Sequence, residues 1–116
     1  MITQIYESNF IVNSFHALDA NTKTVIAADD KGFISPTIGT RIIFPNPHDP
    51  NDLSCDLNTL VIKAGDTPVK VMVNDNDMYP LYVDAHSMKG IEYIRVYSIT
   101  LLSGTSFYFE GLSSES

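Results

Sequence analysis

The sequence has no tryptophan, one cysteine and only seven lysines and arginines in 116 residues. Each scarcity excludes something. A single thiol, Cys55, rules out an intrachain disulfide and any zinc site built on paired cysteines. It reads as a structural thiol. The cations Lys23, Lys31, Arg41, Lys63, Lys70, Lys89 and Arg95 are scattered, and against a formal net charge of −7 they build no basic stripe. A nucleic-acid partner is therefore not expected. No apolar run approaches the ~20 residues of a membrane-spanning helix. The opening Met1-Ile2-Thr3-Gln4 lacks the basic and apolar regions of a signal peptide. These absences lead to the expectation of a soluble protein made in a cytoplasm, with no membrane partner.

What is present is apolar and β-prone. Apolar residues make up 44% and charged residues 18%, too apolar for a disordered chain. The length fits one domain, with a core that needs no covalent staples. Residues 90–112 read GIEYIRVYSITLLSGTSFYFEGL. A long run of Ile, Val, Tyr and Thr is broken by Ser103-Gly104, and a second run follows. The pattern predicts a C-terminal β-hairpin, since branched and aromatic residues suit a pleated surface and glycine suits a tight turn. Alternation puts Ile94, Val96, Ser98, Thr100 and Leu102 on one side, and Ile91, Tyr93, Arg95, Tyr97, Ile99 and Leu101 on the other. Both sides are too apolar for a solvated face. One side packs on a second sheet; the other meets a loop of the same chain or a neighbouring subunit. Ile91, Tyr93, Tyr97, Ile99 and Leu101 are the candidate subunit interface.

Upstream, turn signals recur every 8 to 12 residues, the spacing of a sandwich or barrel. Residues 1–9 show no clean period and read as an arm. A short helical turn is expected at residues 15–20 and a short strand at 24–28. Another strand is expected at 37–44, with Gly39 marking a bulge or a close approach. Residues 45–52, with three prolines, form the clearest loop. A strand follows at 59–63. Val69, Val71 and Val73 alternate with Lys70, Met72 and Asn74 as a half-buried strand. Residues 79–85 form a strand near an edge because of Pro80, and 111–116 read as a fraying end. The prediction is a single antiparallel all-β sandwich, jelly-roll-like or immunoglobulin-like, closed by the terminal hairpin.

Chemistry is harder to find. Asp49, Asn51, Asp52 and Asp56 form one oxygen-rich cluster, and Asn74, Asp75, Asn76 and Asp77 another. Neither has the spacing of a helix-loop-helix calcium site, and such residues favour turns for conformational reasons. Pro47, His48, Asp49, Asn51, Asp75 and Asp77 remain candidate loop contacts. His16, His48 and His86 are far apart in sequence and make no metal motif. No glycine-rich phosphate loop occurs, and no carboxylate pair stands out for hydrolysis. Tyr79, Tyr82, Tyr93, Tyr97 and Tyr108 could form a sugar-stacking platform or fill core and interfaces. No enzyme activity, metal or cofactor is expected.

The stretches AGDTPVKVMVND and YPLYVDAHSMKGIEYIRVYSITLLSGTSFYFEGL resemble small β-sandwich proteins of tailed bacteriophage virions, of the head-decoration, head-fibre and tail-attached type. The resemblance covers about residues 63–112. It rests on a strand after an exposed AG-x-T turn and on the closing Gly104-Thr105-Ser106-Phe107-Tyr108-Phe109-Glu110-Gly111-Leu112 element. It implies a non-enzymatic structural protein located in the virion. Such a protein would form homo-oligomers, trimers foremost, and contact the major capsid protein or another virion protein. The alternative is a carbohydrate- or receptor-binding sandwich with Tyr and Asp on its loops. A cupin-type enzyme would need His and Glu clustered on facing strands, which three scattered histidines do not offer.

Overall fold

The computed structural model describes residues 8–46, 49, 51–53 and 55–115, apart from the side chains of residues 8, 9, 77, 79, 93, 94, 114 and 115. Among these are nine strands: β1 (Ser8–Asn13), β2 (Leu18–Asp19), β3 (Arg41–Ile43), β4 (Leu57–Ala64), β5 (Val69–Val73), β6 (Asn76–Val83), β7 (Met88–Val96), β8 (Ser98–Ser103) and β9 (Phe107–Glu115). Strand β5 shows why they form. Its three valines are buried and Lys70 and Met72 between them are half-buried, the period-two pattern of a strand with one face in a core.

The strands make two antiparallel sheets, ordered β1-β9-β4-β7 and β2-β3-β8-β5-β6. Their inner faces share one core. Leu60, Ile62, Phe107 and Phe109 come from the first sheet, and Ile42, Val69, Val71, Ile99 and Leu101 from the second. Phe44 and Phe109 meet edge-on, with centroids 5.3 Å apart and planes at 64°. This is an all-β antiparallel sandwich.

The closing hairpin does not form. Strand β8 lies between β3 and β5, whereas β9 lies between β1 and β4 in the other sheet. Residues 104–106 therefore arch across the core. Gly104 has φ of +112°, and a Cβ there would stand 2.8 Å from the Pro68 carbonyl oxygen. An arch and a hairpin thus make the same demand on this residue. The run before it also changes sheets, at Tyr97 between β7 and β8.

That joint is held by Asn74. The Asn74 Oδ1 accepts hydrogen bonds from the Tyr97 and Ser98 amides at 2.8 and 3.4 Å. The Asn74 Nδ2 donates to the Arg95 carbonyl at 2.5 Å. The Tyr97 hydroxyl donates to the Asn74 carbonyl at 3.0 Å. Asn74 and Asp75 both have positive φ, +55° and +59°, the geometry of a two-residue hairpin turn between β5 and β6.

Other expectations change in detail. Residues 24–28 make only isolated bridges, Leu18 with Val25 and Ala28 with Ile34. The helical turn is a three-residue 3-10 turn, Ser14–His16, capped by Asn13, whose Oδ1 accepts from the Phe15 amide at 3.1 Å. The strand expected at 37–44 is confined to Arg41–Ile43, with Gly39 in the preceding turn at φ +94°. The supposed fraying end is part of β9, paired with β1 through Ser8↔Glu115. Pro80 does lie on an edge strand, β6.

Candidate interaction face

Cross-strand partners project to the same side of a sheet, so the registers map the outer face of β1-β9-β4-β7. One row reads Ile11, Leu112, Thr59, Glu92 across the four strands; the next reads Asn13, Glu110, Val61, Gly90. A third holds Tyr108, Lys63 and Met88. Ile11 is 52% exposed, Leu112 45% and Met88 63%. Val61 and Tyr108 are half-buried. Two adjoining depressions of about 520 and 410 Å³ lie on this face and share Thr59, Val61 and Leu112. The first reaches Gly90 and Glu92; the second reaches Met88, Tyr108 and Glu110.

The polar groups here are acidic or neutral apart from Lys63. The Tyr108 hydroxyl donates to Glu110 Oε2. This hydrogen bond, then burial, then the carboxylate charge push the phenol up to about 12 from its ordinary 10. The pair faces solvent two residues apart on β9, so each fixes the other's rotamer. The tilted ring of Phe33, with its centroid 6.2 Å away, packs against Tyr108. No histidine or cysteine takes part in these three rows. The arrangement offers apolar contact and a few hydrogen bonds rather than a nucleophile with a base.

The interface expected from sequence is a different surface, and the fold corrects it. Ile99 and Leu101 are fully buried in the core. Ile91 is partly buried and packs against that core. Tyr97 is 40% exposed but stands at the joint between the sheets. The side chain of Tyr93 lies outside the described residues. Alternation cannot run continuously from 91 to 101 because the chain changes sheets at Tyr97. Leu112 escaped notice because 111–116 read as a fraying end, and Ile11 because it follows directly on the stretch 1–9 read as an arm; the apolar run Phe10-Ile11-Val12 was the available signal.

The candidate loop contacts do not come together either. Pro47 and His48, and the side chain of Asp77, lie outside the described residues. Asp49 Oδ1 accepts from the Asn51 amide at 3.0 Å, an Asx turn that accounts for its place in the loop. Asp75 receives Arg41 in a two-pronged ion pair, Nε to Oδ1 at 3.0 Å and Nη2 to Oδ2 at 3.2 Å. The hydrogen bond to Asp75 raises the Arg41 guanidinium above its already high value. Arg95 pairs with Asp56. Among the described residues no three His, Cys, Asp or Glu side chains converge as a metal site. Among them, too, no helix is long and apolar enough to cross a membrane. Tyr82 is on β6 and Tyr108 on β9, in opposite sheets, so they share no stacking platform. Comparison with protein-family models, curated proteins and solved structures finds no match to this chain.

Proposed function

We propose that this chain is a non-enzymatic structural protein of a virion. It decorates or stabilises a tailed-bacteriophage capsid, or joins its head–tail assembly, through contacts with copies of itself and with the shell. The observation that carries the reading is the group of exposed apolar side chains Ile11, Leu112 and Met88 around Val61, on a face that also holds Thr59, Glu92, Glu110 and Lys63. Exposed apolar side chains grouped on a sheet face and rimmed by polar residues mark an assembly contact. The virion setting comes from the resemblance over residues 63–112. The sandwich architecture it implies agrees with the fold, whereas the closing hairpin it implies is replaced by an arch between the sheets. The −7 charge argues against nucleic acid or anionic membrane as the partner. The test is quantitative proteomics of particles purified from the source culture on a density gradient. The chain is expected to band with the major capsid protein at fixed stoichiometry. Its recovery only from the soluble fraction would overturn the virion role.

A further inference from the structure

We infer that the outer face of β8 holds a latent site for a tetrahedral oxyanion of the phosphate class. Arg41, Ser98 and Thr100 build it, and Asp75 closes it as an internal stand-in for the ligand. The site lies in the other sheet from the face that carries the assembly role and does not depend on that role.

The first observation is a pair of hydroxyls. Ile99 and Leu101 of β8 belong to the core, so by alternation Ser98 and Thr100 project to the outer side of their sheet. Both are buried there, at 0% and 7% exposure. Neither Ser98 Oγ nor Thr100 Oγ1 has a hydrogen-bond partner among the described residues. Buried polar side-chain atoms are paired in the large majority of cases, and each exception asks for a reason. Alanine and valine would pack in these two places without the cost of burying an unmet hydroxyl.

The second observation is what crosses above them. Arg41 stands beside Thr100 on β3. On the opposite flank the Asn74 amide donates to the Ser98 carbonyl at 2.9 Å, which sets the next residue, Asp75, close to Ser98. The Arg41–Asp75 ion pair therefore spans β8 over the two hydroxyls. Asp75 meets both prongs of Arg41, at 3.0 and 3.2 Å, yet accepts from neither hydroxyl. A carboxylate has two oxygens, and here both face the guanidinium. A tetrahedral oxyanion gives two oxygens to the same prongs and keeps others for Ser98 and Thr100. The exchange is easy to make. The two side chains of the ion pair are 38% and 45% exposed, and pairs so wet contribute little. Lys70, on the same side of β5 as the Met72 that faces Thr100, adds a second cation to this outer face.

Isothermal titration calorimetry on the full chain at constant ionic strength tests this, with inorganic phosphate, methyl phosphate and acetate as probes. Asp75→Asn removes the internal competitor and keeps a residue suited to the turn's φ of +59°. It should bind phosphate at least ~tenfold more tightly than the parent. Adding Ser98→Ala and Thr100→Val to Asp75→Asn should weaken phosphate at least ~tenfold and leave acetate unchanged, since acetate meets Arg41 alone. Adding Arg41→Gln instead should abolish both. Circular dichroism and a cooperative melt establish that each variant is folded. Tighter binding of methyl phosphate assigns a phosphate ester as the ligand, and tighter binding of the free ion assigns inorganic phosphate; either supports the site. No phosphate binding by Asp75→Asn, equal binding by the parent, or phosphate binding indifferent to the hydroxyl pair would overturn the proposal.

Discussion

Gly90 and Gly111 lie in the same sheet, on strands that both pair with β4. The same substitution should move stability in opposite directions. At Gly90 an added methyl makes two ordinary contacts, with Val61 Cγ2 at 3.5 Å and the Leu60 carbonyl oxygen at 3.6 Å. Alanine there restricts the unfolded chain and adds no strain, so Gly90→Ala should gain about 0.5–1 kcal/mol. At Gly111 the methyl points into the core. It would stand 2.6 Å from Leu57 Cδ1 and 2.7 Å from the Thr59 carbonyl oxygen. Carbon atoms settle at about 3.5–4.0 Å, so Leu57 would have to give roughly an ångström. Leu57 is fully buried. The Thr59 oxygen is backbone beside the irregularity between Leu57 and Thr59 and cannot rotate away. Overpacking of this kind costs about 1–3 kcal/mol, and the upper end applies because two atoms are struck.

The two variants should therefore differ by about 2–4 kcal/mol. At this chain length that is a separation of roughly 10 °C or more in Tm, with Gly90→Ala above the parent and Gly111→Ala below it. Urea unfolding followed by circular dichroism and tyrosine fluorescence gives both values. It should be run at low micromolar protein so that self-association does not contribute. A Gly111→Ala protein as stable as the parent, or two variants moving together, would refute the account of how β9 packs on β4.

Asn74→Ala should lose about 2–3 kcal/mol, because three side-chain hydrogen bonds at the β7–β8 joint go and alanine resists φ of +55°. Asn74→Gly should lose less, since it restores the backbone angle alone; equal losses in urea melts would refute a role for that angle. Tyr108 holds its proton more tightly folded than unfolded, so its stabilising contribution is complete below its ordinary value of 10 and disappears as pH rises to about 12. Tyr108→Phe should erase the most alkaline limb of the tyrosinate absorbance titration, and persistence of that limb would assign it to another tyrosine.

The fold was legible where a strand has one wet face. Val69–Val73 alternates and is a strand with its valines buried. Pro80 marks an edge and sits on one. Legibility failed where a strand is buried on both sides. Ser98, Ile99, Thr100 and Leu101 are all buried, so β8 has no alternation to read. It continues β7 with no proline or glycine at the change of sheet. The signal for that change is Asn74, 23 residues earlier, and its polar turn can be read only as a turn until its side chain is seen to bond the joint. The site was misplaced for the same reason. Ile11, Leu112, Thr59 and Glu92 form one row from four distant segments, brought together by three registers that no local pattern specifies.

The two outer faces of the sandwich are treated differently by the chain. Over the five-stranded sheet, Leu18, Ala20 and Ile43 close a second small buried cluster, and Ser98 and Thr100 beneath that face are buried as well. The chain thus covers the β2-β3-β8 part of this face itself, while Tyr82 on β6 stays 46% exposed. Its edges are also blunted: β2 is two residues long, and β6 carries Pro80, which cannot donate to an added strand. In the four-stranded sheet, edge strand β7 presents Lys89 opposite the buried Ile62, a charge on the core-facing side that disfavours edge pairing. Edge-to-edge growth is therefore disfavoured at three of the four edges. Among the described residues nothing covers Ile11, Leu112 and Met88, which stay open on a face that also holds Thr59, Glu92, Glu110 and Lys63.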